Sequence, residues 1–573
     1  MTSIAIVGTG PSAIYALQAL LACRRPLTVT LFEAGDIAGV GTPYDPRQNT
    51  IEMLANIASV EIPPVGVTLL DYLRQCDAAA LARIGVDPDA LGEREFYPRI
   101  ALGAYYQDRL EALVASAEEA GHAVRILTRH RVVDVVPTGA GIDIRYSAAG
   151  SGPRSMQADK VILATGHVVP ASGAAASLHA TGGLDSAHAI GIFGSSLSAI
   201  DIAVSVATAR GRFVEDRYIR DADIPPFTLT MMSRGGRLPE ADFFCPLPAE
   251  AAAGFTEDDV AELVQAARPG TVLETVFARF ARLLAQADPD YATRIGLDGL
   301  TADSFATAYF GERDRHAPFA WARHNLAEAE RNQCGGHVVA WRYAILRSHE
   351  PFALCLDALT PDERDRFNAG LKRVFADNYA AVPPLSIKRL IALHDAGVLT
   401  VVKLPEGYTV ETDEHTGLSR IGGGESDLVF DRIVDARGLA PADEDKFPFP
   451  TLRMVLMANR DLDEEREGDA VRVDVDYRLT RGINPLREVW CLSLPFLLDR
   501  KPFIQGLTSA AEMGRAAAEA IIGDLEGPKP EDSSQLDDLI EIIASTQPII
   551  LADSAVMLAP RSGSDAASSP GSR

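Results

Sequence analysis

Two short stretches of the chain have the residue types that hold phosphate. One is Gly8-Thr9-Gly10-Pro11-Ser12-Ala13; the other is Gly194-Ser195-Ser196-Leu197-Ser198-Ala199. Each follows an apolar run, SIAIV (3–7) and IGIF (190–193), and each opens an apolar pattern with helical spacing. A glycine turn between strand and helix aims backbone N–H groups at an anion, and the helix dipole favours negative charge there. In the first turn Gly8 permits the tight bend, Gly10 lets the backbone approach a pyrophosphate, and Ala13 lets helix and strand pack closely. Pro11 and Ser12 lie between them at the helix start. Glu33 ends the second apolar run, LTVTLFEAG (27–35), where an acid can hold the ribose hydroxyls of an adenosine. Strand, turn, helix and acid in register predict a dinucleotide site.

The second turn departs from the pattern, with serine at the middle glycine position. Ser195, Ser196 and Ser198 are small, and their hydroxyls can donate to phosphate. After the following apolar run, FTLTMMSRGGRLP (227–239), the place of the acid is taken by Ser233 and Arg234. An arginine there suits the 2′-phosphate of NADPH, whereas an acid would repel it. The expectation is a nicotinamide site that prefers NADPH to NADH. The alternative is a degenerate second unit kept for packing.

The elements around these turns come from a chain of 573 residues, long enough for two or three domains. Strand and helix patterns alternate, so the fold class is α/β: two Rossmann-like dinucleotide-binding domains with a helical insertion. The expected division is 1–183 for the first part of the first domain and 184–249 for the second. Then come a helical insertion at 250–395, the remainder of the first domain at 396–526, and a Pro- and Ser-rich tail, 527–573, expected to be disordered. The segment 427–438, DLVFDRIVDARG, reads as one strand. The net charge of −25 and the lack of a basic stripe argue against nucleic acid as a partner. No apolar run has the length of a membrane span. Six scattered cysteines without a C-x-x-C pair argue against structural zinc, a redox dithiol and a secreted disulfide framework. With no basic leader before SIAIVG, the expected compartment is the cytoplasm. No metal site is expected, and a homo-oligomer is compatible with the composition.

VILATGHVVP (161–170) has the strand-then-ATG form found where a chain leaves a flavin domain, and FDRIVDARGLAP (430–441) repeats it with Arg437 in place of threonine. The order G-x-G-x-x-A, late acid, ATG, second turn, second ATG-like strand resembles the FAD- and NAD(P)H-dependent oxidoreductases. The segments GTPYDP…MLANIASVEIPP, FYPRIALGAYYQDRL and DNYAAVPPLSIKRLIALHDAGVL narrow the resemblance. They look like a bacterial FAD/NAD(P)-binding family related to flavin-dependent N-monooxygenases, some of which oxidise the amine of aspartate to nitrosuccinate. The likeness runs from residue 1 to about 525 and says little about substrate. It implies that Gly8, Gly10, Ala13 and Glu33 hold the ADP part of FAD. It also implies that the loop with Gly41, Tyr44, Asn56 and Ser59 lies along the pyrophosphate or flavin ring. Thr165 and Gly166 belong to the ATG segment, and Gly506 would set a helix N-terminus at the flavin's pyrimidine edge. Asn56 is the residue of that loop singled out for contact with reduced flavin or nicotinamide. Arg99 either reaches the same cleft or makes a surface ion pair.

Two cofactors define a donor and an acceptor. NADPH would reduce FAD, and reduced flavin would activate O2 as a C4a-hydroperoxide that oxygenates a small nucleophile, an amine or amino acid (N-hydroxylation). Arg342, Arg347 and Lys388, in and beside the helical stretch, are candidate anchors for a carboxylated substrate. The runner-up is an oxidoreductase using the same cofactors without oxygen insertion. A non-catalytic FAD-binding regulatory protein is a third reading.

Overall fold

The computed structural model describes residues 1–527 except 140, 149–151, 168–183, 185, 248–253, 414, 425–426, 463–470, 481–485 and 505. The Ala/Ser/Gly-rich linker and the tail expected from the sequence therefore lie outside the described residues.

The first sheet has five parallel strands in the spatial order Val489–Cys491, Lys160–Leu163, Thr2–Val7, Leu27–Phe32, Ala123–Leu127. Its central strands are apolar nearly throughout because both faces are covered. One face carries the helices Pro11–Leu20 and Leu507–Glu526. These cross so closely that a Cβ on Gly514 would lie 2.7 Å from Ser12 O and Ala16 N. The other face packs on an antiparallel sheet, His130–Thr138, Gly141–Ala148 and Pro153–Ala158.

The second sheet is also parallel, ordered Leu399–Lys403, Thr228–Ser233, Ala189–Phe193, Arg432–Asp435. The crossover between its two outer neighbours on one side, 234–398, contains the helical stretch. Helices Pro318–Gly335 and Pro384–Asp395 bury Phe319, Leu326, Ile387 and Leu390 in the core of this second sheet. The helices between Glu257 and Tyr379 otherwise build a core of their own around Phe277, Phe280, Phe305, Phe352 and Phe375. Phe503, from the segment just before helix Leu507–Glu526, inserts into that core, so helical region and first unit meet at Phe503.

The run 427–438 is two strands rather than one. Leu428–Phe430 pairs antiparallel with Ser419–Gly422, whereas Arg432–Asp435 joins the parallel sheet. Between them the Asp431 carboxylate accepts His188 N at 2.6 Å and Ala189 N at 2.8 Å, which turns the chain from one sheet into the other. Among the described residues no helix is long and apolar enough to cross a membrane. Nor do any three His, Cys, Asp or Glu side chains there form a metal-binding group.

Candidate functional site

Both glycine turns are built the same way. Gly8, at φ +103°, donates its N–H to Phe32 O at 2.9 Å, and a Cβ there would lie 2.2 Å from Ala164 O. Gly194, at φ +113°, donates to Met232 O at 2.7 Å, and its Cβ would lie 2.8 Å from Ala436 O. The two ATG-like segments, 164–166 and 436–438, thus close on the two turns, and each turn needs glycine for both conformation and space.

In the first unit Gly10 caps helix Pro11–Leu20, with Pro11 at its first position, Ser12 next and Ala13 fully buried. The chain that comes closest to Gly10 is Gly41 (φ +65°), whose Cα would be 3.3 Å from a Cβ on Gly10. Glu33 leaves the end of its strand and accepts Thr9 Oγ1 at 2.5 Å and Gly35 N at 2.7 Å, which holds its carboxylate beside the turn. Thr165 Oγ1 is 2.7 Å from Ser493 Oγ, a partner 328 residues away that the sequence did not reveal. Gly166 (φ +62°) has nothing within 4 Å of its Cβ position. In the loop, Asn56 is exposed, and the buried Ser59 Oγ makes no hydrogen bond among the described residues. Tyr44 lies against Tyr106, and burial pushes its hydroxyl up to about 12. Gly506 caps helix Leu507–Glu526. Among the described residues, the open space at Gly166, beside the segment that closes on Gly8, suits a bound FAD.

In the second unit Ser195 does not keep its hydroxyl for a ligand. It donates to Arg237 O at 2.5 Å and lies 3.0 Å from Ser233 Oγ, pinning the two strand ends together. Ser233 Oγ also accepts Gly236 N. Ser196, at the cap of helix Leu197–Thr208, makes no capping hydrogen bond through its side chain; Ser196 and Arg234 are exposed.

Arg99 and Asp201 join the units. Arg99 starts helix Arg99–Ala117, donates its N–H to Met53 O, and places Nη2 2.9 Å from Asp201 Oδ2 in helix Leu197–Thr208. The side chains are only 16% and 19% exposed, so this is a cleft pair, not a surface one. Among the described residues, Arg99 Nε makes no hydrogen bond. Burial raises Asp201 to about 6, with Arg99 opposing.

The three candidate anchors separate. Lys388 pairs with Glu330 at 2.7 Å on the surface. Arg347 lies over the Tyr343 ring. Arg342 is buried, 3.1 Å from Glu240 Oε2 and over the ring of Phe243. Its neighbour in space is Asp242, a carboxylate between the helical region and the flavin-side loop. Burial pushes Asp242 up to about 7, Glu61 adds to that, and Arg342 and Arg94 oppose it. Because the folded value is raised, stability from this group is full below the ordinary carboxylate range and is lost as pH rises through about 7. Asp242→Asn should therefore gain stability over the parent at pH 8 relative to pH 5, by up to about 2.5 kcal/mol. Thermal melts at the two pH values check this; an equal change at both would place Asp242 in ordinary solvent.

Fold and site together are those of an FAD- and NAD(P)-binding protein with two Rossmann-like units. A family model described as FAD-NAD(P)-binding matches residues 5–168, and one described as YdhS-like middle domain matches residues 256–379. The chain is 39% identical over 535 residues to YdhS of Escherichia coli (strain K12), covering 91% of this chain and 98% of that one. It belongs to the YdhS-like family. Among solved structures it is similar to the Kutzneria sp. 744 ornithine N-hydroxylase, at 13% identity and TM-score 0.48 over 91% of this chain and 99% of that one. The ornithine hydroxylase of Pseudomonas aeruginosa gives 13% identity and TM-score 0.46, again over 91% and 99%.

Proposed function

We propose that this protein is an NADPH-dependent flavin monooxygenase that N-hydroxylates a small amine or amino acid. The observation that carries the reading is the pair of like-built glycine turns on two parallel sheets, linked across their cleft by Arg99 and Asp201. Bound FAD supplies electron transfer from NADPH to O2 and oxygen transfer to the substrate. The chain's part is to hold and screen. Gly8, Gly10 and Glu33 seat the adenosine diphosphate, and the helix N-terminus at Gly506 favours negative charge on the pyrimidine edge of the flavin. The helical region, anchored by Phe503, covers the cleft against water. Asp242 and Glu61, where helical region and loop meet, offer carboxylates to a substrate ammonium group.

The test is turnover of the FAD-loaded protein with a panel of amines and amino acids, following NADPH, O2 and peroxide together. One amine should accelerate NADPH oxidation while peroxide release falls, with a hydroxylated nitrogen in the product. Amine-independent NADPH oxidation that persists without O2 when a dye acceptor is supplied, with no hydroxylated product, would favour the plain reductase.

A further inference from the structure

Tyrosine rings run without a break from the flavin-side loop to the surface. Tyr44 lies 6.0 Å from Tyr106, centroid to centroid. Tyr106 lies 5.1 Å from Tyr105, and Tyr105 5.7 Å from Tyr72. Tyr15 branches from Tyr106 at 6.1 Å. The rings come from the turn Thr42–Tyr44 and from helices Pro11–Leu20, Leu69–Gln75 and Arg99–Ala117.

The two ends of the row differ in their surroundings. Tyr44 stands just after Gly41, which closes on Gly10, and it feels the charge of Arg99. That puts it at the cleft between the two units. Gly103 lets helix Arg99–Ala117 press on it, since a Cβ there would be 2.4 Å from Tyr44 O. Tyr72, at the other end, is partly exposed and lies beside the Cys76 thiol. Between them Tyr105 and Tyr106 are fully buried.

Packing alone does not require tyrosine. The helical region fills its core with Phe277, Phe280, Phe305, Phe352 and Phe375, which carry no polar side-chain atom. A buried phenol, by contrast, must find hydrogen-bond partners. Tyr15 donates to Pro63 O at 2.6 Å, and its hydroxyl lies 3.0 Å from that of Tyr106. Tyr105 accepts Val65 N and donates to Val67 O. Burial raises all five hydroxyls, so they rest as neutral phenols. What each phenol adds over phenylalanine is an electron and a proton that it can give up together.

We propose that the row Tyr44–Tyr106–Tyr105–Tyr72 is a relay that carries oxidising equivalents from the flavin cleft to the surface. The inference rests on the reading that reduced flavin meets O2 there, and it concerns turnovers that end in hydrogen peroxide. One electron from reduced flavin splits the O–O bond of peroxide into hydroxide and a hydroxyl radical. Tyr44 gives that radical a hydrogen atom, one electron and one proton, and water forms. Each next tyrosine restores the one before it in the same way. Tyr72 is restored in turn by a small hydrogen-atom donor in solution, a thiol or an ascorbate-like enediol, which leaves as its own radical.

The relay can be driven without NADPH, O2 or amine, because a blue flash makes oxidised flavin a one-electron oxidant. Transient absorbance of the air-free, FAD-loaded protein should then show the narrow tyrosyl band, long-lived in the parent. In Tyr106→Phe the hole stays on Tyr44 beside the flavin, and the band should decay about tenfold faster with flavin content unchanged. Ascorbate should shorten the band's life in the parent, and in Tyr72→Phe should act about tenfold more slowly, since the hole then stops at buried Tyr105. Absence of the band, a decay indifferent to Tyr106→Phe, or equal response to ascorbate in parent and Tyr72→Phe would overturn the relay. The predicted decays in a protein that never hydroxylates an amine would uphold the relay and overturn the monooxygenase reading; hydroxylation without any tyrosyl band would do the reverse.

Discussion

Gly8→Ala is expected to purify without flavin, and Gly194→Ala with flavin that NADPH no longer reduces. At φ +103° and +113° an alanine is strained by roughly 1–2 kcal/mol before any contact is counted. The new methyl group then meets backbone: Ala164 O at 2.2 Å in one unit, Ala436 O at 2.8 Å in the other. Neither oxygen belongs to a flexible side chain, so the turn itself must shift. The N–H groups aimed at a diphosphate shift with it, and charge-assisted hydrogen bonds contribute about 1.5–3 kcal/mol each. Losing two of them weakens binding by at least about a hundredfold. The flavin-to-protein ratio read from absorbance reports the first variant, and the anaerobic rate of flavin bleaching by NADPH the second. If Gly194→Ala lost flavin and Gly8→Ala kept it, the assignment of the two turns would be reversed. Circular dichroism separates a shifted turn from an unfolded chain.

The second large effect is expected at Arg99 and Asp201. Burial places Asp201 at about 6 in spite of Arg99, so its ionised form is disfavoured by the fold. The sign follows: stability from this carboxyl is complete below the ordinary carboxylate range and lost as pH rises through about 6. At neutral pH the pair is thus not explained by stability, and its place between the units points to positioning. The two partners should fail unequally. Without Arg99, Asp201 can take up a proton and become neutral; without the Asp201 charge, a guanidinium stays charged and nearly buried. Asp201→Asn should therefore slow flavin reduction more than Arg99→Ala, by about a hundredfold against about tenfold. Flavin content should be unchanged in both. In the parent the reduction rate should fall as pH drops through about 6, and in Arg99→Ala it should stay flat across that range. Stopped-flow reduction as a function of NADPH concentration and pH reads all of this. A change confined to NADPH affinity, or the same pH profile in both proteins, would reduce the pair to a structural contact.

How much was legible in the sequence differs between local and distant features. The first βαβ unit was legible because its turn, helix and acid lie within about thirty residues, where each residue type has one physical reason to be there. Arg437 could be matched with Thr165 for the same reason: both follow the strand that closes on a glycine turn. Ser195 misled, since a serine in a phosphate turn reads as a donor to ligand and here it pins Arg237 O. Asp431 was invisible as a breaker because its partners, His188 and Ala189, are far away in sequence. Arg99 was left between cleft and surface, and only the approach of Asp201 decides it. Ser493 could not be found, because no local pattern connects it to Thr165.

The central claim is that NADPH reduces the flavin and that the reduced flavin, held dry in this cleft, passes its electrons to O2 on the way to an amine. The most direct measurement is rapid mixing. The FAD-loaded protein is reduced with NADPH without air, mixed with oxygenated buffer, and its absorbance followed. The predicted result is bleaching by NADPH, then a transient blue-shifted flavin band before the oxidised spectrum returns. Direct return of oxidised flavin with stoichiometric peroxide, with or without amines present, would contradict it.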